Sequence, residues 1–146
     1  MKDKHIADIR AFNRFYTNVI GLLDQHILNS EYSLPEVRIL YELYHHENLT
    51  GSDIIASLGI DKGYLSRIFR HLEKKKLISK KRSNEDGRSI HLSLTKKGRS
   101  EFEILNEASN VQIKKTLEPL TEGACDKLAR NMAEIQLILS KAHQNT

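Results

Sequence analysis

The chain has 146 residues, a formal net charge of +4 and seven histidines. This length suits one domain, or a small domain with additional helices, and is sufficient for a hydrophobic core. Cys125 is the single cysteine, which excludes an intramolecular disulfide and favours a reducing compartment. We find no apolar run of signal-peptide or membrane-spanning length and no zinc-like spacing of cysteine and histidine. We therefore expect a cytoplasmic protein with no membrane partner, no metal and no cofactor.

The positive charge is concentrated in one quarter of the chain. Between Lys62 and Arg99 lie 13 of the 23 lysines and arginines but only three acids, so this stretch carries +10 and the remainder carries −6. Such segregation is typical of a surface that neutralises phosphates, and it indicates nucleic acid as a partner. The alternative is an ordinary solvated face of a helix.

The first predicted helix runs roughly from Asp3 to Leu28. Its apolar residues alternate at steps of three and four, and further apolar residues widen the face beyond what one small core needs. A second helix is predicted from the capping box Ser33-Leu-Pro-Glu36, with its apolar face formed by Val37, Leu40, Tyr41 and Tyr44. We expect this helix to end near His45 and His46.

Two further helices follow in direct succession. Thr50 and Asp53 repeat the capping pattern before Ile54, Ile55 and Leu58, and Gly59 ends the helix. Asp61 is a candidate cap for the next helix, which we expect to reach about Lys76. A short helix, a tight turn and a second helix form a helix-turn-helix, and Lys62 to Lys74 is then the recognition helix. Its predicted buried face is formed by Leu65, Ile68, Phe69 and Leu72.

After Leu77 the apolar period changes from 3.6 to 2. With this period, Ile78, Lys80 and Arg82 alternate with Ser79 and Lys81, and Ile90, Leu92 and Leu94 alternate with His91 and Ser93. The turn-rich segment Ser83 to Gly87 lies between the two runs, which predicts a β-hairpin with a charged tip, or wing. Thr95 is a candidate cap for a long helix that Pro119 closes. Thr121 then opens a last helix, in which four residues repeat like a coiled-coil seam: Leu128, Met132, Ile135 and Leu139.

This order of elements, with Asp86-x-Arg88 and Leu94-Thr95-x-x-Gly98, resembles the MarR family of winged helix-turn-helix transcriptional regulators. The segment Leu65-Ser-Arg-Ile-Phe-Arg-His-Leu72 matches the recognition helix of that family. The resemblance implies a mainly α (α+β) fold in a single MarR-type domain over residues 1–146. Residues 33–95 would form the winged helix-turn-helix, and residues 1–30 and 96–146 would form dimerisation helices.

The first helix adds a narrower resemblance. Residues 9–23 look like the opening of MarR regulators that are fused to an acetyltransferase domain. The acetyltransferase domain itself is absent from this sequence, so no acetyl-transfer activity is implied.

Geometry suggests how the recognition helix would read DNA. Its N-terminal part fits a major groove about 12 Å wide, and Arg67 and Arg70 are our candidate base readers. The alternative is that either arginine contacts phosphate only. We expect Gly63 to allow close approach to the duplex. The full predicted set of DNA contacts is Lys62, Gly63, Tyr64, Ser66, Arg67, Arg70, Lys74, Arg82 and Arg88.

In the wing, the resemblance implies that Arg88 enters a minor groove. Asp86 would be a structural acid, bonding turn amides or pairing with an arginine such as Arg67. Lys80, Lys81 and Arg82 are either phosphate contacts or solvated charges. The family often has glycine where the recognition helix ends, and this chain has Lys76. A left-handed cap there would cost about 1 kcal/mol, so either the helix ends differently or the strain is tolerated.

The remaining implications concern assembly and control. The excess apolar surface of the terminal helices would be exposed in a monomer. Together with it, the resemblance implies a two-fold homodimer on a pseudo-palindromic site, unless both helices pack on their own domain. The resemblance also implies a pocket for a small aromatic ligand, although aromatic residues at helical spacing are more often core. The candidate lining is Phe12, Phe15, Tyr16, Tyr41, Tyr44 and His45. Some family members sense oxidation through a first-helix cysteine, which is absent here, and Cys125 is more often a packing residue at such a position.

The predicted function is a sequence-specific transcriptional regulator, and we expect it to be a repressor that a small molecule releases from DNA. An enzyme is disfavoured, because the sequence contains no catalytic motif such as a P-loop, G-x-S-x-G or H-E-x-x-H. A nonspecific or architectural DNA-binding protein without ligand control is the remaining alternative.

Overall fold

The computed structural model describes residues 1–21, 30–83, 85 and 87–144. Within these residues the elements follow the predicted order of a helix, a helix-turn-helix, a wing and two long helices. In chain order they are α1 (Asp3–Val19), α2 (Leu34–His45), β1 (Leu49–Thr50), α3 (Gly51–Leu58), α4 (Lys62–Lys74), β2 (Ile78–Arg82), β3 (Ile90–Leu94), α5 (Lys96–Leu117) and α6 (Glu122–Gln144). The chain divides into two compact units, Met1–Ala108 and Ser109–Thr146.

The first helix is shorter than predicted. α1 ends at Val19, and Gly21 has a φ of 71°, in the left-handed region that commonly ends helices. Apolar periodicity carries no information on backbone conformation, so the predicted helix continued beyond this glycine to Leu28. The apolar positions Leu22, Leu23 and Ile27 lie outside the described residues.

Three predicted N-terminal caps are confirmed in the helix-turn-helix region. Glu36 accepts a hydrogen bond from the Ser33 amide at 2.7 Å, which completes the capping box of α2. Asp53 accepts from the Thr50 amide at 2.8 Å at the start of α3. The Asp61 carboxylate accepts from the Tyr64 amide at 2.9 Å at the start of α4. Between α3 and α4, Gly59 makes the turn with a φ of 65°.

The hydrophobic core lies in the first unit, between the helix-turn-helix, the sheet and the start of α5. The predicted buried face of α4 is confirmed, but on α2 the buried face is formed by Ile39, Leu40 and Leu43, and Tyr41 is exposed. The core residues are Tyr32, Ile39, Leu40, Leu43, Ile54, Leu65, Ile68, Phe69, Leu72, Leu77, Ile78, Leu92, Phe102 and Leu105.

The wing belongs to a three-stranded antiparallel sheet with the order β1-β3-β2. The two predicted strands pair from Ile78 opposite Leu94 to Arg82 opposite Ile90. β1 was not predicted, because two residues are too few to show an alternating pattern. It pairs with β3 through Leu49 opposite Leu92 and thereby ties the start of α3 to the wing.

The end of the recognition helix adopts the left-handed cap despite the lysine. Lys76 has a φ of 60°. The Lys76 amide donates to the Glu73 carbonyl at 2.8 Å, and the Leu77 amide donates to the Leu72 carbonyl at 3.0 Å. This is the Schellman arrangement, and its apolar contact is supplied by Leu72 and Leu77, both fully buried. These contacts offset a backbone cost of about 1 kcal/mol at Lys76.

The motif Leu94-Thr95-x-x-Gly98 attaches α5 to this same helix end. The Thr95 amide donates to the Leu77 carbonyl at 3.0 Å, and the Thr95 hydroxyl donates to the Lys76 carbonyl and accepts from the Gly98 amide. A Cβ atom at Gly98 would lie 2.0 Å from the Leu77 carbonyl oxygen. Glycine is therefore required at residue 98 for the close contact between α5 and the end of the recognition helix.

Candidate nucleic-acid interface

The recognition helix α4 turns one polar face away from the core. Since 100° separates successive residues of a helix, the side opposite the buried residues is formed by Gly63, Arg67, Arg70 and Lys74. All four are exposed, as are Lys62 and Ser66 on the adjoining flank. The structure thus brings together most of the DNA contacts predicted on this helix.

Both flanks of α4 are held by side-chain contacts with neighbouring elements. On one side the largely buried Glu36 carboxylate of α2 contacts the ring of His71. On the other side, Lys80 Nζ of the wing lies 2.7 Å from Glu73 Oε1. Lys80 therefore has a structural partner, which the sequence patterns did not predict. The two contacts hold α4 on both flanks, while its outer face stays exposed.

The loop before α2 also contacts the C-terminal end of α4. Lys75 Nζ lies 2.8 Å from Glu31 Oε2 and 4.7 Å from the centre of the Tyr32 ring. The hydrogen bond from Lys75 lowers the pKa of the Glu31 carboxyl, followed in weight by the charge of the same lysine. Burial, and then the negative charge of Glu101, raises the pKa of the Tyr32 hydroxyl, so this phenol stays neutral.

Three of the predicted contacts have additional roles within α4. The Ser66 hydroxyl donates to the Lys62 carbonyl at 2.9 Å, so it is engaged by its own helix. A Cβ atom at Gly63 would lie 3.2 Å from the Asp61 carboxylate, so glycine also relieves crowding against the helix cap. Tyr64 is half-buried against the core, and its ring centre lies 5.6 Å from Cζ of Arg67.

The wing presents its arginines at the hairpin turn. Arg82, at the end of β2, donates from Nη1 to the Gly87 carbonyl at 3.0 Å and so braces the turn. Arg88 follows Gly87 directly and is exposed, as is Lys81. Asp86 lies outside the described residues, so its predicted structural role in the wing stays a prediction.

The predicted ligand-lining residues fall into two groups. Tyr41, Tyr44 and His45 surround the buried ring of Phe102, with the Tyr44 and Phe102 centroids 4.6 Å apart. Phe102 was not among the predicted lining residues, because nothing in its local spacing shows that α2 packs against it. On α1, Phe12 stacks on Tyr16 at 5.5 Å and Phe15 is exposed. Across the described residues, no ring contact joins the two groups.

The terminal helices add two observations. Cys125 lies in the first turn of α6 and is half-buried. Among the helices of the described residues, none combines the length and the apolar character needed to cross a membrane.

Comparison with known proteins identifies the family. Residues 25–105 match the family described as "Transcriptional regulator SarA/Rot". The organic hydroperoxide resistance transcriptional regulator of Bacillus subtilis is 33% identical over 123 residues, which cover 84% of this chain and 78% of the relative. The matched family region begins after α1, so the likeness of α1 to acetyltransferase fusions stays a prediction.

Solved structures show the same fold. Streptococcus pneumoniae FabT, crystallised in complex with DNA, superposes with a TM-score of 0.78 at 20% identity, over 96% of this chain and 99% of FabT. A variant of E. coli MarR superposes with a TM-score of 0.74 at 16% identity, over 87% of this chain and 94% of the MarR chain. The predicted winged-helix fold and the MarR resemblance are thereby confirmed. This chain belongs to the SarA/Rot family and is a DNA-binding transcriptional regulator of the MarR winged-helix type.

Proposed function

We propose that this regulator is a homodimeric repressor that binds a pseudo-palindromic operator sequence-specifically and is released by a small aromatic ligand. The observation that carries the proposal is the outer face of α4. Arg67, Arg70 and Lys74 lie there together, exposed, on a helix whose flanks are held by the Glu36–His71 and Glu73–Lys80 pairs. A fixed helix with exposed arginines is what direct readout of a major groove requires.

The proposed contacts divide by their role. Arg67 and Arg70 read base edges, because the arginine fork matches the two acceptors of guanine in the major groove. Arg88 enters the minor groove next to the wing, where negative potential favours arginine. The other proposed contacts fix the register on the DNA backbone and are Lys62, Gly63, Ser66, Lys74 and Arg82. The FabT complex with DNA supports this assignment through the shared fold.

Exposed apolar residues on the terminal helices support the homodimer. α1 exposes Ile9, Phe12 and Phe15, and α6 exposes Ile135, Ile138 and Leu139. Burial of such stripes against a second copy would give a two-fold assembly. Two recognition helices one helical turn of DNA apart would then read an inverted repeat.

The aromatic cluster around Phe102 supports the ligand. Tyr41 and His45 lie at its exposed edge and add hydroxyl and ring-nitrogen groups to apolar ring faces. This combination suits a small aromatic compound with a polar substituent. Phe12, Phe15 and Tyr16 complete the proposed lining.

The first experiment is a selection of bound sequences from a random duplex library, followed by titration at fixed salt. We expect an inverted repeat with half-sites about 10 base pairs apart, bound at least a thousandfold more tightly than scrambled DNA. Enrichment without a motif, together with a ratio near one, would identify a nonspecific or architectural DNA-binding protein instead. A titration of the operator complex with phenolic compounds then tests for ligand release.

Replacement of a proposed base reader tests the readout itself. Arg67→Ala should weaken operator binding by about 1 to 3 kcal/mol and leave binding to random DNA almost unchanged, because a lost base contact affects only the cognate site. Arg38→Ala is the matched control, since Arg38 is an exposed arginine that pairs with Glu42 within its own helix, α2. Equal losses on both DNAs for Arg67→Ala would make Arg67 a phosphate contact.

A further inference from the structure

Tyr64 is fixed at both its backbone and its ring. It is the third residue of α4, where its amide donates to the Asp61 cap at 2.9 Å. Its ring is half-buried and packs against the hydrophobic core. It lies on the flank of α4 opposite Glu73, the residue that contacts Lys80 of β2. Most of the ring is therefore held by the protein before any DNA binds.

Arg67 lies one turn further along the same helix. Residues three apart on a helix are neighbours, and helical side chains lean toward the N-terminus, so the Arg67 side chain lies over the turn that contains Tyr64. Its Cζ atom is 5.6 Å from the ring centre, within the range of a cation–π interaction. The arginine therefore has a preferred direction although its side chain is exposed.

We propose that Tyr64 is a positioning residue for Arg67, with the ring acting as a platform that holds the guanidinium in the orientation needed for base readout. This inference rests on the proposed function, and it changes the role of Tyr64 from a DNA contact to a support for one. An arginine has many rotamers in solution, and ordering them on binding costs free energy. A ring that restricts those rotamers beforehand increases discrimination between bases without touching the DNA.

The test separates the ring from the hydroxyl. Tyr64→Phe keeps the platform and removes the hydroxyl, whereas Tyr64→Leu keeps apolar packing and removes the aromatic face. Each variant is titrated on the selected operator, on scrambled DNA and on an operator changed at the base pair where Arg67→Ala loses discrimination. We expect Tyr64→Phe to behave as the wild type and Tyr64→Leu to lose about two- to fivefold in discrimination at that base pair, the range of an exposed cation–π contact.

A double-mutant cycle shows whether Tyr64 affects discrimination through Arg67. In the Arg67→Ala background, Tyr64→Leu should cause no further loss, because the side chain it supports is gone. An equal loss with and without Arg67 would assign Tyr64 a general structural role and overturn the proposal. A loss of affinity by Tyr64→Phe on every DNA would make the hydroxyl a phosphate contact and overturn it as well.

Two further controls complete the experiment. Thermal unfolding shows whether Tyr64→Leu is folded, and Tyr64→Met replaces it if it is not. A wild-type protein without sequence selectivity would overturn the proposed function, and the platform with it. A selective wild type in which Tyr64→Leu discriminates normally would overturn the platform alone.

Discussion

The winged-helix part and the terminal helices of this protein differ in where their apolar side chains lie. The buried core is built from residues between Tyr32 and Leu105. α1 and α6, both described from end to end, contain no buried residue, and Phe15 is 64% exposed on α1. The winged-helix part thus buries apolar residues within its own fold, whereas α1 and α6 leave apolar stripes exposed.

The proposed DNA contacts and the proposed dimer surface therefore lie in separate parts of the sequence. Residues that hold the recognition helix have partners within the first unit, such as Glu36 with His71 and Lys80 with Glu73. Substitutions in the winged-helix part should therefore act on the stability or selectivity of each subunit. Substitutions on the apolar stripe of α6 should act on assembly.

The largest effect is expected for Ile135→Glu in the apolar stripe of α6. Burial of one such side chain is worth about 1.5 to 3 kcal/mol, and a two-fold interface contains the residue twice, so dimerisation should weaken by about 3 kcal/mol or more. Sedimentation or light scattering across a concentration series measures this change. Ala133→Glu places the same charge on the opposite side of the helix and should leave the dimer intact. A dimer that tolerates Ile135→Glu would contradict the proposed interface.

An intermediate effect is expected at the joint between α5 and the recognition helix. Gly98→Ala places a Cβ atom 2.0 Å from the Leu77 carbonyl oxygen. The resulting displacement should lower the free energy of unfolding by about 2 to 4 kcal/mol. Urea unfolding at fixed protein concentration measures it.

The matched control for this joint lies in the other region. Gly123 of α6 has nothing within 4 Å of an added Cβ atom. Gly123→Ala should therefore be neutral or stabilise the protein by up to about 1 kcal/mol. Similar losses in both variants would mean that close packing is not confined to the winged-helix part.

The smallest effect is expected at the cap of α3. Hydrogen bonds from the Thr50 amide and then from the Thr50 hydroxyl lower the pKa of the Asp53 carboxyl. Because the folded-state pKa is depressed, the stabilisation is present above about pH 4 and is lost as the pH falls through the folded value.

Asp53→Asn tests this dependence. Since Asp53 is exposed, the variant should be less stable by less than about 1 kcal/mol at pH 7, and the difference should disappear as the pH is lowered through the folded-state pKa of Asp53. Urea unfolding across this pH range measures the difference, and the oligomeric state should not change. A difference that persists at the acid end would assign the effect to geometry rather than charge.

Local sequence signals determined much of the fold. Ser33, Thr50 and Asp61 marked the helix starts correctly, because a cap involves residues only three positions apart. The spacing of Leu65, Ile68, Phe69 and Leu72 placed the buried face of the recognition helix, and through it the exposed arginines on the opposite side. Helix caps depend on residues close together in the sequence, and a buried helix face depends on a regular spacing, so the amino-acid sequence alone specifies both.

Contacts between distant segments were decided only by the tertiary structure. The side-chain contacts on the flanks of α4, the strand β1 and the requirement for glycine at residue 98 each join segments that no periodic pattern relates. The platform beneath Arg67 depends on how far the core buries Tyr64. The amino-acid sequence alone thus specifies which residues carry the positive charge and which helix presents them. Which of those residues remain free to bind depends on the tertiary structure, because the partners that engage the others come from elsewhere in the chain.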